Sequence, residues 1–205
     1  MNTDLIDLIC STRAMRRLKP DPVPPELINQ ILRAATAAPP ASNMYGWRFL
    51  VIRDQTIKNA VADRYRRLWY DEGGGPAFRK AAPSRVRYRQ MLDACDYQAD
   101  HLHEAPVWIV PCQLGHTRTW DAGSGIYPAV QNMLLAARAL GLGATLTTLF
   151  QYAGDAEAML GLPDDAHSYA ILPIGYPLGN FGPVAPVLLE EVVFADRWGE
   201  KWSGG

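Results

Sequence analysis

The chain has 205 residues, with 20 Lys or Arg against 21 Asp or Glu and a formal net charge of -1 at pH 7. That balance gives no general attraction to nucleic acid or to an anionic membrane. A hydrophobic share of 48% with 20% charged residues excludes an intrinsically disordered chain and fits one globular domain over residues 1–205.

The opening MNTDLIDLIC has neither a basic n-region nor an apolar run of signal-peptide length. The most apolar long stretch, Pro128 to Leu149, is interrupted by Gln131, Asn132 and Arg138, so no membrane span is expected. Cys10, Cys95 and Cys112 are scattered and form no CxxC pair. This argues against a disulfide framework or zinc site and for a reducing, cytoplasmic setting. His101 and His103, two apart, would diverge on a helix, and no metal is expected.

In chain order, Asp4 to Ser11 reads as a short helix. Arg13 to Pro25 is held extended by Pro20, Pro22, Pro24 and Pro25. From Glu26 the pairs Leu27/Ile31 and Ile28/Leu32 give an amphipathic helix that Pro39 and Pro40 end. Trp47 to Ile52 (WRFLVI) and Val107 to Cys112 read as buried strands. Between them lies a charged region with Gly73, Gly74, Gly75 and Pro76 as a break between two helices.

Ile126 to Leu140 is apolar almost all round, as for a central helix covered by other elements or by a partner subunit. Ala144 to Leu149 follows as a β-rich run, Gly154 to Leu160 as a short helix, and Ser168 to Tyr176 as a core strand. Pro173 marks a bulge or an edge in that strand. Val187 to Phe194 reads as a strand without a local partner, suited to completing the sheet of a second copy. The class is α+β, a mixed central sheet flanked by helices.

Four segments carry candidate chemistry. Arg13-Ala14-Met15-Arg16-Arg17 offers three guanidiniums within five residues, suited to a phosphate monoester, although alone it reads more readily as a solvated basic turn. The loop with Pro40, Ser42 and Asn43 supplies small residues, a donor and an acceptor, or is merely a helix-to-strand connection. Gln131 and Asn132 are amides on an otherwise buried helix, which demands hydrogen bonds, either within the core or to a cofactor. Gly143 to Thr148 presents backbone amides beside a helix end.

Together these segments resemble the nitroreductase family of FMN enzymes, in an actinobacterial-type branch. The motifs are RAMRRLKPDPVP, APPASNMYGWRFLVIRD, YPAVQNMLLAARALGLGATLTT and ILPIGYPLGNFGP, in the family's order over roughly residues 5 to 197. The resemblance implies a nitroreductase-like fold and a homodimer with FMN between subunits. Ile126 to Leu140 would be its long dimer helix. Arg13, Ala14, Met15, Arg16 and Arg17 would hold the FMN phosphate. Pro40, Ser42, Asn43 and Gln131 would line the flavin. Leu146, Thr147 and Thr148 would pack on its ring, with a backbone N–H near N5.

Two departures stand out. Pro40 replaces a serine of the usual loop, and no Lys or Arg lies between Pro177 and Asp196, where the family keeps a tail cation. Asn180 and Ala185 occupy those places.

The implied reaction takes hydride from NAD(P)H through flavin N5 to an electron-poor acceptor such as a nitroaromatic or quinone. No side-chain nucleophile or general base is needed. Residues 64–105, basic and aromatic through Arg89, are expected to be a mobile lid or insertion; a solvated helix pair is the alternative. Same-fold alternatives are a reductive dehalogenase or a flavin-cleaving enzyme. A non-catalytic flavin-binding protein is the rival from another class.

Overall fold

The computed structural model describes residues 4–40, 46–81, 86–115, 120–184 and 187–202. Helix α1 (Leu5–Ser11) begins where the Asp4 side chain accepts from the Ile6 N–H at 2.8 Å. Helix α2 (Pro25–Thr36) starts on Pro25, whose missing N–H costs nothing in a first turn. It buries Ile28, Ile31 and Ala35, the stripe that the spacing predicts.

Strand β1 (Trp47–Ile52) pairs antiparallel with β2 (Val107–Leu114) from Trp47↔Gln113 to Ile52↔Trp108. Strand β5 (Leu172–Gly175) lies on the other side of β2, followed by β3 (Gly143–Ala144), and β4 (Ala166–Ser168) also pairs with β2. All these pairings are antiparallel, so the described sheet is not the mixed one expected. β2 is covered on both faces. Trp108, Val110 and Cys112 enter one apolar cluster, Val107 and Ile109 the other, as a strand's period of two requires. β1 departs from its expected burial: it ends the sheet, and only Trp47 and Ile52 are buried within it.

One face carries α3 (Gln55–Tyr70) and α5 (Val86–His101), with α4 (Gly74–Ala81) between them in sequence. The triple glycine was expected to separate two helices, yet a third begins within it. Cβ atoms on Gly74 and Gly75 would stand 2.9 Å from the Leu68 and Trp69 carbonyls, so the absence of side chains lets α4 fold back on α3. On the other face, α6 (Trp120–Ala139) packs along α2 and buries Ile126, Ala129, Val130, Met133 and Ala137. It begins six residues before the expected Ile126 and keeps Pro128 inside. The Trp47 indole donates to the Gly125 carbonyl at 2.8 Å, tying this extra turn to β1.

After β3 the chain runs through Thr147, bridged to Ile171, into a 3-10 turn (Leu149–Tyr152) and α7 (Ala156–Met159). Pro173 stands inside central strand β5 rather than at an edge. The pairs Ala144↔Ile174 and Thr147↔Ile171 put Thr145 opposite Pro173. Proline has no N–H to donate there, and the ladder between β3 and β5 is interrupted at that point.

The tail differs from expectation. Val187 to Phe194 was read as a strand, but Leu189–Val192 forms a one-turn helix, α8. Val187, Leu188, Leu189 and Val192 are all exposed. With no described strand beside them, local i to i−4 bonding satisfies the backbone, as in Val193 N–H to Leu189 O at 2.8 Å.

Candidate functional site

The basic segment has no regular structure of its own and is clamped between β3 and the strand-to-tail connection. Met15 N–H donates to the Ala144 carbonyl at 2.9 Å, Lys19 N–H to Tyr176 at 2.7 Å, and Leu178 N–H to Arg17 at 3.0 Å. Met15 and Leu18 are buried, which leaves the arginines on the open side. Gly143 makes this approach possible: a Cβ there would lie 2.9 Å from the Met15 Cβ and 2.8 Å from Leu18 Cδ2.

The three guanidiniums do not share one partner. Arg13 Nη2 donates to the Asn180 carbonyl at 2.9 Å, and Arg17 lies 4.9 Å from the Tyr97 ring centroid. Arg13, Arg16 and Arg17 border a common cleft of about 270 Å³ with Ala94 and Gly179. Arg13 and Arg16 also reach two further cavities, one on each side of Leu146.

The first, about 220 Å³, is lined by Thr12, Arg13, Ala14, Gln131, Arg138 and Thr145 among others. Two buried polar atoms of its lining residues, Arg138 Nε and Thr145 Oγ1, have no partner. Such atoms are costly unless a ligand or water meets them. Of the two amides flagged on α6, Asn132 donates to the Ala34 carbonyl at 2.9 Å and ties α6 to α2. Gln131 faces the cavity.

The second cavity, about 270 Å³, is walled by Tyr65, Trp69, Phe78 and Tyr152, with Arg16, Cys95, Gln98 and Leu146 to Leu149. The Trp69 indole donates to Asp96 at 2.8 Å and its ring stacks on Phe78 at 6.0 Å. Tyr65 Oη and Thr147 Oγ1 are hydrogen-bonded at 2.9 Å. Burial pushes the Tyr65 hydroxyl up to about 12, against the opposing pull of the Thr147 bond. Burial likewise raises the Cys95 thiol, with nearby Arg16 pulling the other way. A thiol held protonated is a poor nucleophile. Gln98 Nε2 is buried here without a partner.

The cations of the 64–105 segment are partly committed. Arg64 pairs with Glu72 and Asp155, Arg66 with Asp100, and Arg79 with Asp96. Three of its aromatics, Tyr65, Trp69 and Phe78, by contrast, wall the cavity.

The structure thus brings Arg13, Ala14 and Gln131 to the first cavity, Arg16, Thr147 and Thr148 to the second, and Leu146 to both. Met15 is a buried anchor beside the common cleft. Pro40 is half-buried and lines none of these cavities, while Ser42 and Asn43 lie outside the described residues. Arg138, Thr145, Phe181, Tyr65 and Gln98 were not among the expected ligands. Arg138 did have a signal, as a lone cation on an apolar helix.

Among the described residues no helix is long and apolar enough to cross a membrane. No group of three or more His, Cys, Asp or Glu among them is placed to hold a metal ion. The three cysteines are free thiols.

An α+β fold with a cationic and an aromatic cavity meeting at one leucine defines a protein shaped for a planar, anionic ligand. Comparison with known proteins gives the class. The model of the nitroreductase family matches residues 9–176. An NADH dehydrogenase of Thermus thermophilus is 31% identical over 195 residues, covering 88% of this chain and 90% of the relative. An iodotyrosine deiodinase of Thermotoga neapolitana is 26% identical over 178 residues, covering 84% and 88%.

Among solved structures, iodotyrosine deiodinase bound to FMN and 3-iodo-L-tyrosine superposes with a TM-score of 0.74 at 25% identity, covering 95% of this chain and 99% of that one. A nitroreductase with bound FMN from Bacteroides fragilis gives 0.67 at 18% identity, covering 95% and 100%. The chain belongs to the nitroreductase family and is an oxidoreductase.

Proposed function

We propose that this chain is an FMN-dependent oxidoreductase that takes electrons from NAD(P)H and delivers them to an electron-poor organic acceptor, a nitroaromatic or a quinone. The observation that carries the reading is the junction at Leu146. A cavity with two guanidiniums and two partnerless buried polar atoms opens there beside one walled by aromatic rings. The first suits a phosphate and the second a stacked ring system, and together they reach the size of ordinary cofactor sites.

Bound FMN would supply the hydride chemistry, through its N5 position. The chain's own residues do the holding. Arg13 and its neighbours bind the phosphate, Leu146 packs on the ring, and the backbone at Thr147 and Thr148 directs amides to its edge. Arg16, in the aromatic cavity, sets positive charge beside the ring, where added electron density needs it. Tyr65 fixes Thr147 through the 2.9 Å hydrogen bond.

The working unit is a homodimer with the flavin between subunits, Pro40, Ser42 and Asn43 reaching it from the partner. Exposed Leu5, Ile6 and Ile9 on α1, with Val187, Leu188 and Leu189 in the tail, supply apolar surface for that association. Residues 64–105 act as a lid within one domain, contributing Phe78 and Met91 to the cavity wall. A cytoplasmic location suits the free thiols.

Reductive dehalogenation is the second reading, favoured by the likeness to the deiodinases. The test is anaerobic titration of the purified, FMN-loaded protein with NADPH or NADH. Bleaching of the flavin band, followed by recovery on adding a quinone or nitroaromatic, is expected. Recovery with 3-iodotyrosine alone would favour the second reading. A flavin that neither nucleotide bleaches would overturn the oxidoreductase role proposed for it, and a protein that takes up no FMN would overturn the cofactor.

A further inference from the structure

Arg138 is a cation on a helix whose inward face is otherwise apolar apart from the amides Gln131 and Asn132, and its surroundings are specific. Its guanidinium carbon sits 4.0 Å from the centroid of the Phe181 ring, and its Nη2 donates to Ser11 Oγ at 3.2 Å. Its Nε is buried with no partner. The cavity it lines also holds Arg13, whose Nη2 is aimed by the Asn180 carbonyl, and Thr145, fully buried with a partnerless hydroxyl. Among the described residues no Asp or Glu lines that cavity. Two guanidiniums brought together without a carboxylate repel each other unless an anion joins them. The tail meanwhile contains no Lys or Arg from Pro177 to Asp196.

We infer that Arg138 is the second cation of the phosphate site, standing in from helix α6 for the missing tail cation. The tail's part is to aim the cations. Asn180 holds Arg13 through a backbone carbonyl, and Phe181 holds the Arg138 plane by stacking. The Arg138 Nε and the Thr145 hydroxyl are left to meet phosphate oxygens. A planar guanidinium held by a ring over one face and a hydrogen bond at its edge recognises a phosphate monoester with little ordering cost, which a free lysine would not match.

This inference rests on the FMN reading, and its test separates the two. Affinities for FMN and for riboflavin, which differ only in the phosphate, are measured by fluorescence quenching in the wild type and in Arg138→Met. The wild type is expected to prefer FMN, and the variant to lose about tenfold or more in FMN affinity while holding riboflavin within about twofold. If Arg138→Met does not fold, Phe181→Leu carries the same test, with a loss for FMN of roughly threefold and none for riboflavin. An unchanged FMN-to-riboflavin ratio in the variant that folds overturns the role of Arg138. A wild type that binds both flavins equally overturns the phosphate site but leaves a flavin protein. A wild type that binds neither overturns the FMN reading and this inference with it.

Discussion

Among the described residues, the cavity on the α6 side of Leu146 is lined by two arginines, a buried threonine and no carboxylate, whereas the one on the α3 side is walled by tyrosines, tryptophan and phenylalanine with Arg16 as its cation. Their charges are managed differently. In the first, cationic groups are aimed inward and left partly unpaired. Around the second, Arg64, Arg66 and Arg79 are neutralised by carboxylates, so their aromatic neighbours stand without a competing field. The difference teaches that a basic run in sequence does not by itself mark an anion site. The arginines of residues 64–89 are mostly structural where they are described, and among the described arginines Arg138 is the one left with a partnerless buried nitrogen.

Three substitutions test that contrast. The largest effect is expected from Trp69→Ala, which empties the aromatic wall and removes the donor to Asp96; it should cost about 3–5 kcal/mol of unfolding free energy. Denaturant melts check this. A loss under about 1 kcal/mol would mean that the aromatic wall contributes little to the core.

Arg16→Ala comes next. Because Arg16 lies in the ring cavity, its removal should weaken FMN and riboflavin alike, by about tenfold, with the elution volume of the protein unchanged. A loss confined to FMN would move Arg16 into the phosphate site and undo the division between the two cavities.

The smallest effect is that of Tyr65→Phe, about 1 kcal/mol for the lost bond to Thr147. It also has a pH signature. The folded-state pKa, about 12, lies above the unfolded value of 10, so the native chain binds the extra proton between them. Stability is therefore untouched below pH 10 and falls as pH rises from 10 toward 12. Tyr65→Phe should flatten this fall in alkaline melts; an identical slope in both proteins would refute the raised pKa.

Much of the fold was legible along the chain because period and punctuation are local. The apolar stripe from Leu27 to Ala35 could only bury itself as a helix, and WRFLVI matched β1 residue for residue. The errors arose where a distant contact outweighed a local rule. The central helix was expected to begin at Ile126, but the Trp47 bond to Gly125 ties an extra turn ahead of it to β1. The triple glycine looked like a flexible break, yet missing side chains are what let α4 close on α3. The tail from Val187 to Phe194 reads locally as a strand, but strand formation needs a pairing partner, and none of the described strands pairs with it.

The site divides along the same line. The residue order by itself determined the class, the basic segment and the lone cation on α6, because each is a pattern of neighbours; of the β-rich run from Ala144 to Leu149, only Ala144 falls in strand β3 and Thr147 in an isolated bridge. Only the tertiary structure decided which arginine serves which cavity. That assignment depends on Ala144 clamping Met15, on the Asn180 carbonyl and Phe181 ring arriving from the far end of the chain, and on a proline opposite Thr145 interrupting the ladder. Hydrogen bonds and ring contacts at 3–5 Å aim a guanidinium, and residues as far apart in the chain as Arg13 and Asn180 come within that range only once the core has packed.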